Sequence, residues 1–236
     1  MRDRIKKTLQ NILNPLVRLF IRVGITPNVI TTIGLILNFI VAVIFIYGAE
    51  NGAHEDMSYI GWAGGMILFA GVFDMLDGQV ARMAKLSSKF GALYDSVIDR
   101  YSELIMFLGI CYYLVSQHYF MSGLAAFIGL IGSIMVSYTR ARAEGLGIPC
   151  NDGLMQRPER IIAIGLSAIA CGITGHYYDG NRKLPLSIFG YDGFETISVF
   201  VIPLLLIALL ANYTAIQRLS ACYIYLKNRE GKEGIS

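Results

Sequence analysis

The sequence predicts an all-α integral membrane protein in which six transmembrane helices follow an N-terminal amphipathic interfacial helix. Hydrophobic residues make up 55% of the 236 residues and charged residues only 16%, and the mean hydropathy is +0.54. This composition is too apolar for an ordinary soluble domain. The apolar residues fall into six segments, most of them close to the length that a helix needs to cross a bilayer. The N-terminal segment instead interleaves basic residues with apolar ones at steps of three and four.

The elements follow in order along one domain, residues 1–236. Residues 1–23 are predicted to form the juxtamembrane helix, 24–220 the six-helix core and 221–236 a basic cytoplasmic tail. A proline at position 27 suits the first turn of the first span. The predicted spans are residues 29–47, 59–76, 90–115, 119–139, 161–174 and 197–215.

The basic residues predict the orientation of the spans. All but three of the 20 Lys and Arg residues fall at the N-terminus, in the second and fourth connections between spans, or on the tail. The exceptions are Arg100, Arg182 and Lys183. Six spans place all the others on one side, which the positive-inside bias makes cytoplasmic. We therefore expect a multi-pass protein of a bacterial inner membrane, with its active site facing the cytoplasm.

Four aspartates, Asp74, Asp77, Asp95 and Asp99, lie in an otherwise apolar region around the second and third spans. The first two are three residues apart and the last two are four apart, so each pair shares one helix face. A short polar turn between the spans would bring the pairs together. Like charges cannot cluster in a low dielectric unless they are protonated or bridged by cations. Ion pairing with arginines is the alternative, but few arginines lie nearby, so we favour a metal site.

The ligand types predict the metal. Carboxylates without an adjacent Cys or His suit Mg²⁺, Mn²⁺ or Ca²⁺ rather than zinc. Two divalent ions would neutralise the four aspartates and could hold the attacking and leaving oxygens of a phosphoryl transfer. Glycines at positions 78 and 91 leave space for a phosphate to approach the backbone. The four cysteines show neither CxxC spacing nor a pairing pattern, so they indicate no zinc site and no disulfide framework.

A signature of eight residues spans this region: Asp74-x2-Asp77-Gly78-x2-Ala81-Arg82-x8-Gly91-x3-Asp95-x3-Asp99. It resembles the complete signature of the CDP-alcohol phosphotransferases. The resemblance implies a membrane enzyme in which an alcohol displaces CMP from a CDP-linked lipid. It also implies that all four aspartates bind two Mg²⁺ ions per active site, with Mn²⁺ possible, and that Asp99 is in addition the catalytic base. A homodimer is implied as well.

The resemblance further implies which residues contact the CDP-lipid. Some lie in the signature and its following turn, and others in a TPNxxT segment at the start of the first span. On the residues alone, that segment could be no more than a helix cap. The implied contacts are Thr26, Pro27, Asn28, Val29, Gly78, Arg82 and Ser88.

Four arginines, Arg140, Arg142, Arg157 and Arg160, converge on the connection between the fourth and fifth spans. Part of this charge is expected from the positive-inside bias and from attraction to anionic lipid. A cationic pocket beside an acidic metal pocket also suits an acceptor that is itself a phosphate monoester. The segments SYTRARAE and RPER resemble the phosphatidylinositol-phosphate synthase branch of the family. That resemblance implies that these arginines, joined by Arg218, bind the phosphate of inositol phosphate.

The leading hypothesis is a transferase that joins the phosphatidyl group of CDP-diacylglycerol to inositol 1-phosphate. The same chemistry with glycerol 3-phosphate or free inositol is one alternative. A cation transporter or channel is the alternative outside enzymes, although its acidic residues should line a path across the membrane. Membrane lipids, and no nucleic acid, are the other expected partners. Small residues such as Gly64, Gly65, Gly71, Gly129 and Gly132 could serve dimerisation or packing within one subunit.

Overall fold

The structure is a computed structural model that describes residues 2–53, 56–150, 155–183 and 194–233, with side chains described only between residues 12 and 229. Its described part is all-helical, apart from an isolated bridge between Lys183 and Glu195. This confirms the predicted all-α class. Residues 184–193, in the predicted loop between the fifth and sixth spans, lie outside the described residues. The helices are α1 (Arg2–Val23), α2 (Pro27–Asn51), α3 (Ser58–Met83), α4 (Lys89–Ser116), α5 (Phe120–Gly145), α6 (Arg157–Tyr177) and α7 (Ser198–Glu233).

Within the described residues, five helices are long and apolar enough to cross a membrane: α2, α3, α5, α6 and α7. The protein is therefore a multi-pass integral membrane protein. The predicted third span, α4, is 28 residues long but carries charged side chains as far as its midpoint, including Asp95, Asp99 and Glu103. The count of six spans stays a prediction.

The helices after α1 pack in a ring. α2 packs against α3 and α4, α3 against α6, α6 against α7, α7 against α5, and α5 against α4. α1 packs outside this ring on α3, where Leu16 and Val17 contact a cluster that contains Leu76 and Val80. The ring brings together helices that are far apart in the sequence, such as α3 and α6.

The largest buried hydrophobic cluster joins the helices α2 to α7. It contains Phe45 of α2, Phe107 and Tyr113 of α4, and Phe200 of α7, all fully buried. The ring centroid of Phe45 lies 5.9 Å from that of Tyr113 and 6.2 Å from that of Phe200. These aromatic residues lie away from the aspartates, whereas a smaller buried cluster that contains Leu76 and Val80 packs beside Asp77.

Small residues allow α3 and α6 to approach closely. A Cβ atom on Gly64 would lie only 2.7 Å from the Cβ of Ala168. Gly71, Gly129 and Gly132 also face neighbouring atoms of the same chain. A Cβ on Gly65 would meet nothing within 4 Å. Four of the five glycines singled out from the sequence therefore serve packing within the subunit.

Several helices extend beyond the predicted spans at the polar end. α3 continues to Met83, α5 continues to Gly145 and α6 begins at Arg157. Consequently Arg140 and Arg142 lie on a helix and not in a connection. The segment expected to be a separate tail continues α7 as far as Glu233. Neither Gly nor Pro occurs between Pro203 and Gly231, so nothing in that stretch interrupts the helix.

Candidate active site

The four aspartates come from two adjoining helix ends. Asp74 and Asp77 lie near the end of α3, and Asp95 and Asp99 lie in the first half of α4. Asp95 is close enough to each of the other three for their charges to repel. The structure therefore brings together the four carboxylates that the spacing placed on facing helices.

Residues of α2 position the two aspartates of α3. The Thr31 hydroxyl donates a hydrogen bond of 2.8 Å to Asp77 Oδ2, and the Gly78 amide donates to Asp77 Oδ1. A Cβ on Gly34 would lie 3.2 Å from Asp74 Oδ1, so the absence of a side chain at Gly34 leaves room for this carboxylate. Sequence reasoning missed both α2 residues. Thr31 is the last residue of the TPNxxT segment and could have been found there, whereas nothing in the pattern indicates Gly34.

Arg157, the first residue of α6, lies between the two aspartate pairs. Its Nη1 atom is 2.8 Å from Asp74 Oδ2 and 2.7 Å from Asp99 Oδ1. A capping box formed by Gln156 and Glu159 fixes the start of this helix. One guanidinium nitrogen thus contacts carboxylates from both α3 and α4.

The donor set suits a hard divalent cation. All four side chains offer carboxylate oxygens, and Asp74 Oδ2 is buried without a hydrogen bond, although it contacts Arg157 as an ion pair. In the described part of the chain, no three acidic, Cys or His side chains form a ready-made cluster of metal ligands. The Arg157 guanidinium between Asp74 and Asp99 shows that these carboxylates already stabilise a positive charge at this position.

A cavity of about 200 Å³ lies between the start of α2, the end of α3 and the start of α4. We call it the glycine cavity, because Gly78 and Gly91 line it. It contains five of the seven predicted CDP-lipid contacts: Pro27, Asn28, Gly78, Arg82 and Ser88. Thr26 and Val29 do not line it. Thr31, Asp77, Ala81, Leu86, Ser87, Ala92 and Asp95 complete the lining.

Both glycines leave backbone facing this cavity. A Cβ on Gly78 would lie 3.4 Å from Arg82 Nη1, and one on Gly91 would lie 3.0 Å from Ser88 Oγ. Ser88 caps α4 by accepting a hydrogen bond of 2.9 Å from the Gly91 amide. A side chain at either glycine would therefore enter the space between the cavity walls.

A second cavity, of about 380 Å³, lies between α4, α5, α6 and α7. We call it the arginine cavity. Four of the five predicted acceptor residues line it: Arg140, Arg157, Arg160 and Arg218. Asp95 and Asp99 line it too, and Asp95 also lines the glycine cavity. The two cavities therefore meet at the aspartates.

Arg160 is held by a residue that the sequence analysis overlooked. Its Nε and Nη2 atoms donate to Glu103 Oε1 at 3.0 and 2.8 Å, and Nη1 donates to the Met155 carbonyl. Both side chains are nearly inaccessible, at 1% and 2%. Glu103 follows Asp99 by four residues on the same helix face, so the spacing alone could have indicated it.

The other arginines differ in burial and in the groups that they contact. Arg218 is buried and donates to the Val136 carbonyl at 2.8 Å. Arg140 is exposed and pairs with Glu144 at 2.8 Å. Arg142 is not brought to this cavity: it lies two residues from Arg140, about 200° around the helix, and faces a separate groove between α5 and α7.

The sequence model of one protein family, the CDP-alcohol phosphatidyltransferases, matches residues 24–173. This range includes both cavities' aspartates and most of their lining. The chain belongs to the CDP-alcohol phosphatidyltransferase family. It is an enzyme of this class.

Similar proteins carry more specific names. A phosphatidylinositol phosphate synthase of Corynebacterium glutamicum is 33% identical over 172 residues, which cover 72% of this chain and 73% of that one. An archaetidylinositol phosphate synthase of Methanothermobacter thermautotrophicus is 32% identical, covering 79% of this chain and 91% of the other.

The fold resembles that of the Mycobacterium tuberculosis phosphatidylinositol phosphate synthase. Its crystal structure with CDP-DAG bound aligns with a TM-score of 0.69 and 27% identity, covering 90% of this chain and 94% of that one. A crystal structure of the same enzyme in complex with manganese and citrate aligns with a TM-score of 0.68 and 26% identity, over 89% and 88% of the two chains.

Proposed function

We propose that the protein transfers the phosphatidyl group of CDP-diacylglycerol to a hydroxyl of inositol 1-phosphate, giving phosphatidylinositol phosphate and CMP. One observation carries this proposal: the glycine cavity and the arginine cavity meet at Asp95, in the aspartate cluster. A transferase needs two substrates to approach one reacting centre from different sides. The names and bound CDP-DAG of the similar proteins support the same substrates.

The glycine cavity suits the CDP end of the donor lipid. Gly78 and Gly91 present backbone without side chains, and the Arg82 guanidinium on the wall can hold a phosphate through paired hydrogen bonds. Asn28 and Ser88 add polar groups. We therefore propose that the donor lipid is bound by Pro27, Asn28, Thr31, Gly78, Arg82, Ser88 and Gly91. Thr26 and Val29 do not line the cavity, so we do not assign them to the donor.

The arginine cavity suits an acceptor that carries a phosphate. Arg140, Arg157 and Arg218 would contact it, and Arg160, tied to Glu103 and Met155, would shape the wall. A free alcohol would gain nothing from so many guanidinium groups. Free inositol is therefore the less favoured acceptor, whereas glycerol 3-phosphate shares the phosphate and differs in shape.

Asp99 suits the role of general base, because it lines the arginine cavity beside Arg157. The acceptor hydroxyl would give its proton to Asp99 while its oxygen bonds to the lipid-linked phosphorus, and the bond from that phosphorus to CMP would break. Asp74, Asp77, Asp95 and Asp99 would hold two Mg²⁺ ions, with Mn²⁺ as a substitute, and these ions would neutralise charge on the diphosphate.

We also propose that α4 crosses the membrane as the third of six spans, that α1 lies at the membrane interface, and that the site faces the cytoplasm. α4 packs between α2 and α5 in the ring, and its acidic residues face the two cavities or Arg160. The helix ends that surround the site carry most of the basic residues.

An acceptor panel tests the proposed function. The purified protein in mixed micelles with CDP-diacylglycerol receives inositol 1-phosphate, free inositol or glycerol 3-phosphate, and CMP release and the lipid product are measured. We expect CMP release and a phosphatidylinositol phosphate product with inositol 1-phosphate alone, loss of turnover with EDTA, and recovery with Mg²⁺. Faster turnover with either other acceptor would reassign the substrate.

A second arm addresses the transporter alternative. Proteoliposomes that contain the protein are loaded with a divalent-cation indicator, and a concentration gradient of the divalent cation is applied across the membrane. We expect no ion flux above that of empty liposomes. Flux without CMP release would contradict an enzyme function for these aspartates.

A further inference from the structure

An apolar groove of about 480 Å³ runs along the outside of the bundle between α5 and α7. On α5 it is lined at steps of three and four, from Met135 through Tyr138 to Arg142. On α7 a matching face runs from Ala215 through Leu219 to Leu226. Leu219 is 64% exposed and Tyr138 is 60% exposed, so the groove is open to the surroundings of the bundle.

The groove begins where the two helices touch. A Cβ on Gly132 would lie 2.8 Å from the backbone nitrogen of Asn212, so α5 and α7 are in contact at that level. Farther towards the polar end of the bundle, Ile148 packs with Ala143, and Cys222 packs against their cluster. These residues form the floor, which leaves a long concavity between two membrane-crossing helices.

The polar end of the groove is positively charged. Arg142 lies on its wall, and among the described residues its side chain forms no salt bridge or hydrogen bond, whereas its backbone carbonyl accepts from the Leu146 amide. Lys227 follows Tyr223 by four residues on α7, so it extends the same helix face beyond the groove. Tyr138 and Tyr223 are also at this level, where aromatic side chains with a polar group favour the membrane boundary.

We propose that this groove binds a phospholipid with an anionic headgroup, with an acyl chain between α5 and α7 and the phosphate on Arg142. An apolar concavity between membrane helices matches an acyl chain, and a basic residue at its polar end matches the headgroup charge. A second copy of the chain in this groove would bury Arg142, which is unfavourable unless that copy placed a partner charge beside it.

This site is separate from the two cavities of the proposed function. Arg140 and Arg142 point to different sides of α5, one to the arginine cavity and the other to the groove. Arg218 of α7 likewise lines the arginine cavity, whereas Leu219 lines the groove. A lipid in the groove would therefore lie behind two helices that carry acceptor-side arginines.

Photoreactive lipids test the proposal. The full-length protein is reconstituted in nanodiscs that contain either phosphatidylglycerol or phosphatidylcholine with the same diazirine-bearing acyl chain, and the cross-linked residues are mapped by mass spectrometry. We expect labelling within residues 135–146 and 212–226 to be about fivefold stronger for the anionic lipid. Arg142→Ala should reduce it to the phosphatidylcholine level, and Arg142→Lys should retain most of it.

Lys85→Ala is the matched control, because Lys85 is an exposed basic residue in the turn between α3 and α4. It should leave labelling of the groove unchanged. Thermal unfolding of each variant checks that it folds. Equal labelling by the two lipids, or anionic labelling that persists in Arg142→Ala, would overturn the proposal. Cross-links between two copies of the chain through the groove would overturn it too.

Discussion

Arg157 contacts two carboxylates of the aspartate cluster and also lines the arginine cavity. At the residue scale, it therefore stands at the boundary between the acidic and basic halves of the site. Its side chain is only 17% exposed, so its charge is balanced by Asp74 and Asp99 more than by water. In the acidic half alone, four carboxylates would repel one another, of which Asp77 is buried and the others are partly buried.

The base assignment makes the first prediction. Asp99→Asn removes the group that accepts the proton but keeps nearly the same shape, so kcat should fall by about 10² to 10⁴-fold. Binding of CDP-diacylglycerol, measured by equilibrium dialysis, should change little. Asp179→Asn is the matched control, because it makes the same change at an exposed turn far from the site. An Asp99→Asn enzyme with most of its kcat would disprove the assignment.

Metal binding separates Asp74 from Asp99. Asp74→Asn removes one charge from the proposed ligand set on α3, so both metal dependence and donor binding should weaken together. Mn²⁺ titration followed by electron paramagnetic resonance measures the first, and dialysis measures the second. Unchanged Mn²⁺ affinity in Asp74→Asn would remove this residue from the ligand set.

The pairing of Glu103 with Arg160 makes a stability prediction. Glu103→Gln leaves a buried guanidinium without its partner charge, which should destabilise the protein by about 3–5 kcal/mol. Glu144→Gln breaks an exposed pair with Arg140 and should cost only about 0–1 kcal/mol. Thermal unfolding in detergent compares the two variants. Equal shifts in Tm would mean that the buried pair contributes no more to stability than the exposed pair.

Individual residues were predictable to different degrees. The eight-residue signature identified the aspartates and both glycines because their spacing follows the helix period. Glu103 lies on the same face of α4 as Asp99, and Thr31 ends the TPNxxT segment, yet both were overlooked. Gly34 could not be found, because its role depends on a contact between α2 and α3 that no local pattern reveals.

At the scale of the helices, the polar ends were the least predictable part. Hydropathy marks where a helix crosses apolar surroundings, but a helix continues beyond that boundary when polar residues still favour helical backbone. α3, α5 and α7 all do so, which places Arg82, Arg140 and Arg218 on rigid elements. The predicted spans therefore located every helix but not the ends that build the site.

Adjacent glycines on α3 test the close packing of α3 against α6. Gly64→Ala would put a methyl group 2.7 Å from Ala168 Cβ and should destabilise the protein by about 1–3 kcal/mol. Gly65→Ala meets nothing and should stabilise the helix by about 0.5–1 kcal/mol. The difference in Tm between the two variants measures this effect. Similar shifts in the same direction would contradict the packing of these helices.

At the scale of the whole molecule, the order of the ring positions the site. The sequence predicted which helices exist, but it could not predict that α3 packs against α6 or that α5 packs against α7. Those long-range contacts bring Arg157 to Asp74 and place Arg218 beside Arg140. Two cavities with different chemistry consequently open onto one aspartate cluster.

The most direct test of this two-cavity account is the pair of KM values in two variants. Gly78→Ala adds a methyl group to the glycine cavity, and Arg140→Ala removes an exposed charge from the arginine cavity. With purified enzyme in mixed micelles, Gly78→Ala should raise the KM for CDP-diacylglycerol roughly tenfold, equivalent to ~1.4 kcal/mol, and leave the KM for inositol 1-phosphate nearly unchanged. Arg140→Ala should do the reverse. If both variants raised the KM of the same substrate, the two cavities would not be separate donor and acceptor sites.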